Sequence, residues 1–216
     1  MEYFYKKTGL YIDWEQLNKL PEIDTLIDIG VGYDGSPDFY ERFNKAKLIL
    51  IDPLDEAYKY ALENLKDRDT SFYKFAVGGK RETKIINVED DVNRSTFLEV
   101  TEINKESKNI NPRDVEIKTL DEILINESNL RNIGIKIDTE GYELNVIKGA
   151  TNTLKNTKFI VAEVRHNHKS FGEQYALHEF MEIMNRNDFT LTMILTAKPL
   201  IADLCFQPKN ALNFNF

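Results

Sequence analysis

Two short runs of β-branched residues end abruptly in carboxylates and glycines, and this pairing constrains the fold more than any other feature of the sequence. They occupy residues 26–32 and 136–143, with roughly a hundred residues between them. Each has the form of a buried strand that stops at a polar turn. In an open α/β sheet, ligands bind in the crevice outside the carboxyl ends of the strands. The two runs therefore predict one shared cleft.

Around these runs, apolar stretches alternate with helical patterns, which is typical of βαβ units and a mostly parallel sheet. The predicted strands are 25–29, 47–51, 71–77, 84–88, 133–137 and 159–164, followed by a closing antiparallel pair at 189–195 and 211–214. The predicted helices are 11–20, one starting at 37, 55–66, 119–125, 143–154 and 173–187. The less regular stretch 80–118 is interpreted as an insertion or lid over the cleft.

The composition narrows the function classes. The net charge is −8 and the Lys and Arg residues are dispersed, which argues against a nucleic-acid partner. No apolar run approaches the about 20 residues that cross a bilayer, and the first residues do not resemble a signal peptide. We therefore expect a cytoplasmic protein with no membrane partner. Its one cysteine, Cys205, excludes an intramolecular disulfide, and the sequence leaves homo-oligomerisation open.

The first of the two runs leads into a glycine turn, residues 30–35, of the form G-x-G-x-x-G. Alone this is a weak signal, because any tight strand-to-helix turn favours glycine. Asp52 ends the next strand, where a carboxylate can accept both hydroxyls of an adenosine ribose; the alternative is a helix N-cap or a turn residue before Pro53. Asp28 can hold an ammonium group. S-adenosylmethionine carries a ribose, an ammonium and a carboxylate, and it would fit one such cleft.

These residues and the order in which they occur resemble the FkbM-type S-adenosylmethionine-dependent methyltransferases. The matching pieces, spread over roughly residues 24–165, are Ile27-Asp28-Ile29-Gly30, Asp52-Pro53, Ala76-Val77-Gly78, Ser95-Thr96, Thr119-Leu120-Asp121, the run 136–143, Val146-Ile147-Lys148-Gly149-Ala150 and Glu163-Val164. There are two departures. The glycine turn differs from the family's usual Gly-Ala-Asn-x-Gly, and Asp52 stands where glutamate is commoner.

The resemblance implies an α/β fold of the class I methyltransferase, Rossmann-like type. This has a seven-stranded, mostly parallel sheet with an antiparallel last strand and helices on both faces. Residues 1–22 are then expected to be an N-terminal helical extension, and 23–216 the methyltransferase domain. The implied activity is O-methylation of a small hydroxylated acceptor, a metabolite or a sugar or glycan precursor, with S-adenosylmethionine as cofactor.

The predicted cofactor-binding residues are Asp28, Gly30, Gly32, Asp52, Pro53, Ala76, Val77, Ser95 and Asp138. Ala76 and Val77 are expected beside the adenine, although apolar residues there are equally expected as core. Ser95 and the adjacent Thr96 either border the cofactor or cap a turn.

The predicted catalytic residues are Asp138, Glu140 and His166, because a hydroxyl acceptor must lose a proton to a positioned base. Closely spaced carboxylates raise one another's pKa and leave one of them as a usable base. The alternative for Glu140 and for Glu143 is a structural role, capping the helix and holding Lys136 or an arginine. His166 is the base, a substrate ligand or a surface residue.

Other chemistries stay open at this point. A divalent ion held by Asp138, Glu163 and His166 is one alternative, but spacing across separate strands does not decide it, and we expect no required metal. A nicotinamide-dependent oxidoreductase would also use the glycine turn, although hydride transfer has no need of the 136–143 carboxylates. A non-catalytic protein on a methyltransferase scaffold is the third alternative, since fold does not prove activity.

Overall fold

The computed structural model of the chain describes residues 14–99, 109–128, 130–165, 175–198 and 200–211. The described helices are α1 (Trp14–Asn18), α2 (Pro37–Arg42), α3 (Asp55–Asn64), α4 (Leu120–Ile123), α5 (Glu143–Lys148) and α6 (Leu177–Arg186). The described strands are β1 (Thr25–Ile29), β2 (Lys47–Ile51), β3 (Thr70–Tyr73), β4 (Ala76–Val77), β5 (Glu82–Glu89), β6 (Ile110–Lys118), β7 (Ile133–Ile137), β8 (Thr157–Arg165), β9 (Phe189–Ala197) and β10 (Ile201–Pro208).

Seven strands form one sheet in the order β3-β2-β1-β7-β8-β10-β9. The five from β3 to β8 are parallel to their neighbours, whereas β10 runs antiparallel to both β8 and β9. The last strand is thus inserted in the opposite direction between two others. The predicted fold class, a mostly parallel seven-stranded α/β sheet with an antiparallel last strand, is confirmed.

Helices cover both faces of this sheet, as predicted. On one face, Leu17 of α1, Phe39 of α2 and Ala57 of α3 are buried in one core cluster. On the other, α4, α5 and α6 contribute Leu120, Val146 and Phe180 to a second cluster. Both faces of β1 and β7 are buried, which explains their nearly continuous apolar sequences. None of the described helices is long and apolar enough to cross a membrane.

A second sheet of three strands, in the order β4-β6-β5, lies beside the carboxyl ends of the large sheet. Its core includes Leu54, which follows the end of β2, and Tyr142, which follows the end of β7. The described part of the predicted insertion is therefore a small sheet packed against the two loops that leave the cleft. Its long strand β6 was not predicted, because the polar sequence of residues 109–114 conceals it.

Three predicted elements differ from the structure. The partner of β9 is β10, not 211–214: Ala211 lies in a 3-10 turn, Lys209–Ala211, and 212–214 lie outside the described residues. The sequence concealed β10 because a charged residue, Asp203, stands in its buried centre. The predicted strand 71–77 is two strands in different sheets. The predicted helix 143–154 ends as an α-helix at Lys148.

The predicted boundary between an N-terminal extension and the methyltransferase domain stays a prediction. Residues 1–13 lie outside the described part of the chain. From Trp14 onward the segment forms α1, whose Leu17 is fully buried in the core of the large sheet.

We predict that Gly134→Ala will destabilise the fold through its contact with Phe159. The two residues are register partners on β7 and β8, and a Cβ atom at residue 134 would lie 2.4 Å from the Phe159 Cζ atom. Overpacking of this kind costs about 1–3 kcal/mol. Urea unfolding measures the loss.

Phe159→Leu provides the matched background for this prediction, because it shortens the side chain that fills the space. The additional cost of Gly134→Ala should be smaller in the Phe159→Leu protein than in the natural one. Equal costs in the two backgrounds would show that the Phe159 ring is not the obstacle.

Candidate active site

The two predicted runs meet at the carboxyl ends of β1 and β7. The Asp138 amide donates a hydrogen bond to the Ile29 carbonyl at 2.8 Å, and the Gly30 amide donates to the Ile51 carbonyl at 3.0 Å. Gly30 has a φ of +87°, and a Cβ atom there would lie 1.8 Å from the carbonyl oxygen of Asp138. Glycine is therefore required for the turn to run this close to the end of β7.

Asp52, predicted to bind the ribose, holds the glycine turn through backbone hydrogen bonds. One carboxylate oxygen accepts from the Gly32 amide at 3.0 Å and the other from the Leu54 amide at 2.8 Å. Burial raises the pKa of Asp52 to about 6, against the opposing effect of these backbone donors. Since each carboxylate oxygen can accept a second hydrogen bond, the ribose role stays a prediction beside this structural one.

Asp28, predicted to face the ammonium of the cofactor, is completely buried in β1. Its Oδ2 atom accepts a hydrogen bond from the Tyr40 hydroxyl, whereas Oδ1 has no hydrogen-bond partner among the described residues. Burial raises the pKa of Asp28 to about 6, although the Tyr40 hydroxyl and the Lys136 charge oppose this effect. Among the described residues the Oδ1 oxygen is a buried acceptor without a hydrogen-bond partner, although the nearby Ser36 side chain also acts to lower the pKa of Asp28.

The segment after β5 connects the two runs. The Asn93 side chain accepts from the Tyr33 amide at 2.9 Å and donates to Asp34 at 2.9 Å, so it is fixed to the glycine turn. Thr96 donates from its hydroxyl to the Glu140 carbonyl at 2.7 Å. Ser95 lies between these two contacts, and its buried hydroxyl oxygen has no partner among the described residues. Asn93 was not predicted, because one Asn in a polar loop gives no signal.

Glu143 shapes the loop that follows β7. One oxygen accepts from the amide and hydroxyl of Thr139, at 3.1 and 3.0 Å, and from the Gly141 amide at 3.0 Å. The other accepts from the Tyr175 hydroxyl at 2.7 Å. With 1% of its surface exposed, Glu143 cannot reach a substrate. Its role is structural, but among the described residues its hydrogen-bond partners are loop amides and the Thr139 and Tyr175 hydroxyls rather than the predicted Lys136 or an arginine.

Glu140 stands at the tip of this loop, in the left-handed backbone region with a φ of +51°. Its carboxylate forms an ion pair with Arg165 at the end of β8. Glu140 thus holds an arginine in the structure, which was its predicted structural alternative. A left-handed conformation costs a non-glycine residue free energy and often occurs where function requires it.

Asp138, the leading predicted base, keeps about a third of its side chain accessible, at 34%. Lys136 lies beneath it, with its ammonium 2.9 Å from Asp203 and 3.4 Å from Asp138. Burial raises the pKa of Asp138, Lys136 lowers it and Asp203 raises it. Burial and the charge of Asp138 likewise raise the pKa of Glu163 to about 8. Glu163, with its pKa of about 8, therefore retains a proton near neutral pH.

The carboxylates of Asp138, Glu140 and Glu163 lie within 4.8 Å of one another. Such spacing would suit a cation, but Lys136 and Arg165 already bring two positive charges to the cluster. These two cations therefore offset part of the negative charge of the three carboxylates without a metal ion. The expectation that no metal is required stays a prediction.

The other predicted site residues are Ala76, Val77, Pro53 and His166. Ala76 and Val77 form β4 and are buried, so they are core in this structure, and their place beside an adenine stays a prediction. Pro53 is half-buried at the end of β2. His166 lies outside the described residues, so its predicted role stays open.

Comparison with known families gives one match, the methyltransferase FkbM domain, which covers residues 28–191. The matched range contains the first run from Asp28 onward, the whole second run and all the predicted site residues. No curated protein matches the sequence.

Among solved structures, TehB from Haemophilus influenzae is similar with a TM-score of 0.52 at 12% identity, covering 96% of this chain and 66% of that one. This likeness shows a shared fold. A precorrin-6y C5,15-methyltransferase from Geobacter metallireducens GS-15 gives a TM-score of 0.49 at 9% identity, covering 90% of this chain and 85% of that one. A putative S-adenosylmethionine dependent methyltransferase from Listeria monocytogenes gives 0.49 at 10% identity, with 90% and 97% covered.

We predict that ionisation of Asp28 makes the protein less stable as the pH rises. Its folded pKa of about 6 exceeds the value of about 3.9 for an unfolded aspartate. Between these values the folded chain holds a proton that the unfolded chain has lost. The stabilisation is therefore complete below about pH 4 and is lost as the pH rises through about 6.

Asp28→Asn removes this proton, so the decline in unfolding free energy near pH 5 should become shallower by up to about 1.4 kcal/mol per pH unit. Urea unfolding at a series of pH values measures the slope. Asp67→Asn, which changes an exposed aspartate after α3, is the control and should leave the slope as it was. An unchanged slope in Asp28→Asn would mean that Asp28 is ionised throughout the range.

Proposed function

The chain belongs to the methyltransferase FkbM domain family, and we propose that it transfers a methyl group from S-adenosylmethionine to a hydroxyl of a small metabolite or of a sugar or glycan precursor. The observation that carries this proposal is the meeting of the glycine turn with the 136–143 loop. The Asp138 amide donates a hydrogen bond to the Ile29 carbonyl. The predicted cofactor residues and the predicted base therefore lie at one edge of the sheet. The family membership favours this reading over a nicotinamide-dependent oxidoreductase.

The residues present suit the proposed cofactor. Among the described residues, the Oδ1 atom of Asp28 and the hydroxyl of Ser95 are buried polar atoms without a hydrogen-bond partner. They lie in the two segments that border the cleft, and an ammonium group offers hydrogen bonds that both can accept. Asp52 can accept from ribose hydroxyls with its remaining lone pairs. When bound, S-adenosylmethionine supplies an electrophilic methyl group on a sulfonium.

Asp138 is the proposed base. As the acceptor oxygen bonds to the methyl carbon and the carbon–sulfur bond breaks, the hydroxyl proton would pass to the Asp138 carboxylate. A carboxylate with a raised pKa is better suited to accept a proton than an ordinary one. Glu140 is less suited to accept the proton, because its carboxylate is paired with Arg165.

The proposed partner is the small hydroxylated acceptor. Hydroxyl groups donate hydrogen bonds, and Asp138, Glu140 and Glu163 offer acceptors close together. The net charge of −8 supports the proposal that no nucleic acid binds. Self-association is left open.

We predict that Asp52→Ala weakens the binding of S-adenosylhomocysteine, the product form of the cofactor. The change removes a charge-assisted contact of about 1.5–3 kcal/mol, which corresponds to about a tenfold to hundredfold loss of affinity. Isothermal titration calorimetry measures it. The variant also frees the Gly32 amide that Asp52 holds, which adds to the loss.

Asp55→Ala is the matched control for Asp52→Ala, since it removes a nearby aspartate whose side chain is exposed and paired with Lys74. This control should bind as the natural protein does. If Asp52→Ala binds equally well, the carboxylate at the end of β2 does not hold the ribose.

We predict that Asp138→Asn abolishes most of the methyl transfer while cofactor affinity changes much less. The amide keeps the shape of the side chain but cannot accept the proton, and general-base catalysis contributes about a hundredfold to ten-thousandfold in rate. Transfer from labelled S-adenosylmethionine to an acceptor found by metabolite screening measures turnover. Calorimetry with S-adenosylhomocysteine measures the affinity.

Glu140→Gln is the companion variant and should lose as much turnover only if Glu140, rather than Asp138, takes the proton. Full activity in both variants would place the base elsewhere, with His166 as the leading candidate. Treatment with a chelator should leave turnover unchanged. Activity that disappears with the chelator and returns with magnesium would show a required metal.

A further inference from the structure

Lys136 is a charged residue in a strand that is otherwise apolar. It stands between Ile135 and Ile137 in β7, where every position is buried, and its own exposure is 5%. An ammonium group in such a place is costly unless opposite charges and hydrogen bonds compensate for it. Its position in the centre of the sheet, two residues before the proposed base, therefore calls for a physical reason.

The two contacts of Lys136 are unequal. Its ammonium donates to Asp203 at 2.9 Å and to Asp138 at the longer distance of 3.4 Å. Asp203 comes from the antiparallel strand β10, where it is the register partner of Glu163. The Thr196 hydroxyl donates to the other oxygen of Asp203. Asp203 is thus held firmly from two sides, whereas Asp138 has the looser contact and the exposed surface.

Charges of both signs surround Asp138. Those that face it are Asp28 and Asp34 from β1 and its turn, Lys136 from β7, Glu140 and Glu143 beyond β7, Glu163 and Arg165 from β8, and Asp203 from β10. Arg165 is paired with Glu140. The charge of Arg165 has a smaller effect on the pKa of Asp138, and the cation that donates a hydrogen bond to the Asp138 carboxylate is Lys136. Without it, repulsion among the carboxylates would favour protonated Asp138.

We propose that Lys136 is a positioning residue, which shares its charge between Asp203 and Asp138 and thereby keeps the Asp138 carboxylate ionised and in place at the cleft. The proposal rests on the proposed function for the role of Asp138 as base. Asp203 and Thr196 belong to the same device, because they decide how much of the Lys136 charge Asp138 receives. The pKa directions agree: the Lys136 charge acts to lower the pKa of both Asp203 and Asp138, whereas burial and the charges of Asp138 and Asp203 raise the pKa of Glu163, so the retained proton belongs to Glu163.

The rival explanation is purely structural, since the Lys136–Asp203 pair also ties β7 to β10 across the sheet. Removing either partner then leaves a buried charge and destabilises the fold. The two explanations differ in one respect. A tie between strands predicts loss of stability from both Lys136→Met and Asp203→Asn, with no shift in the titration of Asp138. The positioning role predicts titration shifts of opposite sign.

The test is a pH titration of the side-chain carboxyl carbons by carbon-13 NMR on the ligand-free, full-length protein. Signals of the Asp138–Glu163 pair are assigned from Asp138→Asn and Glu163→Gln. Lys136→Met removes the positive charge, so the apparent pKa of the pair should rise. Asp203→Asn removes a competing negative charge and leaves Lys136 to Asp138, so the apparent pKa should fall. Lys136→Arg keeps the charge and should titrate close to the natural protein.

Opposite shifts in Lys136→Met and Asp203→Asn support the proposal. Shifts in the same direction, or none in either variant, overturn it and leave the structural tie. If Lys136→Met does not fold, Asp203→Asn decides: a fall supports the proposal, and an unchanged or raised pKa overturns it. Calorimetry of the natural protein with S-adenosylhomocysteine is run beside the titration. Absence of binding there defeats the proposed function, whereas the titration still judges Lys136.

Discussion

The close approach between the backbone of Gly30 and the carbonyl of Asp138 is the contact on which the rest of the site depends. No side chain fits between them, because a Cβ atom at residue 30 would lie 1.8 Å from the Asp138 oxygen. The glycine therefore allows the turn after β1 and the loop after β7 to share one sheet edge. Asp52 then holds the turn from one side, and Glu143 holds the loop from the other.

The cleft is built on buried charge, which a folded protein tolerates only when the charges compensate one another. Lys136 and Arg165 each neutralise carboxylates beside the proposed base. The positive charges do not fully compensate the carboxylates. Burial and the charge of Asp138 raise the pKa of Glu163 to about 8. Incomplete balance suits a site that must accept a proton. It also means that stability and chemistry depend on the same carboxylates.

The sequence predicted those features that depend on local patterning. The parallel strands follow from their apolar runs, and α4 lies within the predicted helix 119–125, where the structure shows Thr119 and Glu122 forming both hydrogen bonds of a capping box. Features set by distant partners could not be predicted. Asp203 places a charge in the buried centre of β10, so the sequence pattern did not predict this strand. The charge is compensated by Lys136, which lies on another strand. Asn93 and Arg165 likewise acquire their roles from contacts with Tyr33 and Glu140.

Thermal unfolding tests most directly whether this cleft binds S-adenosylmethionine. The natural protein is unfolded with S-adenosylhomocysteine and, separately, with NAD. At about a hundredfold excess over its dissociation constant, a ligand stabilises the folded state by about 2.7 kcal/mol. For a chain of this size, each kcal/mol raises the Tm by about 2–4 °C. We predict a rise of this order with S-adenosylhomocysteine and none with NAD. A rise with NAD alone would contradict the account.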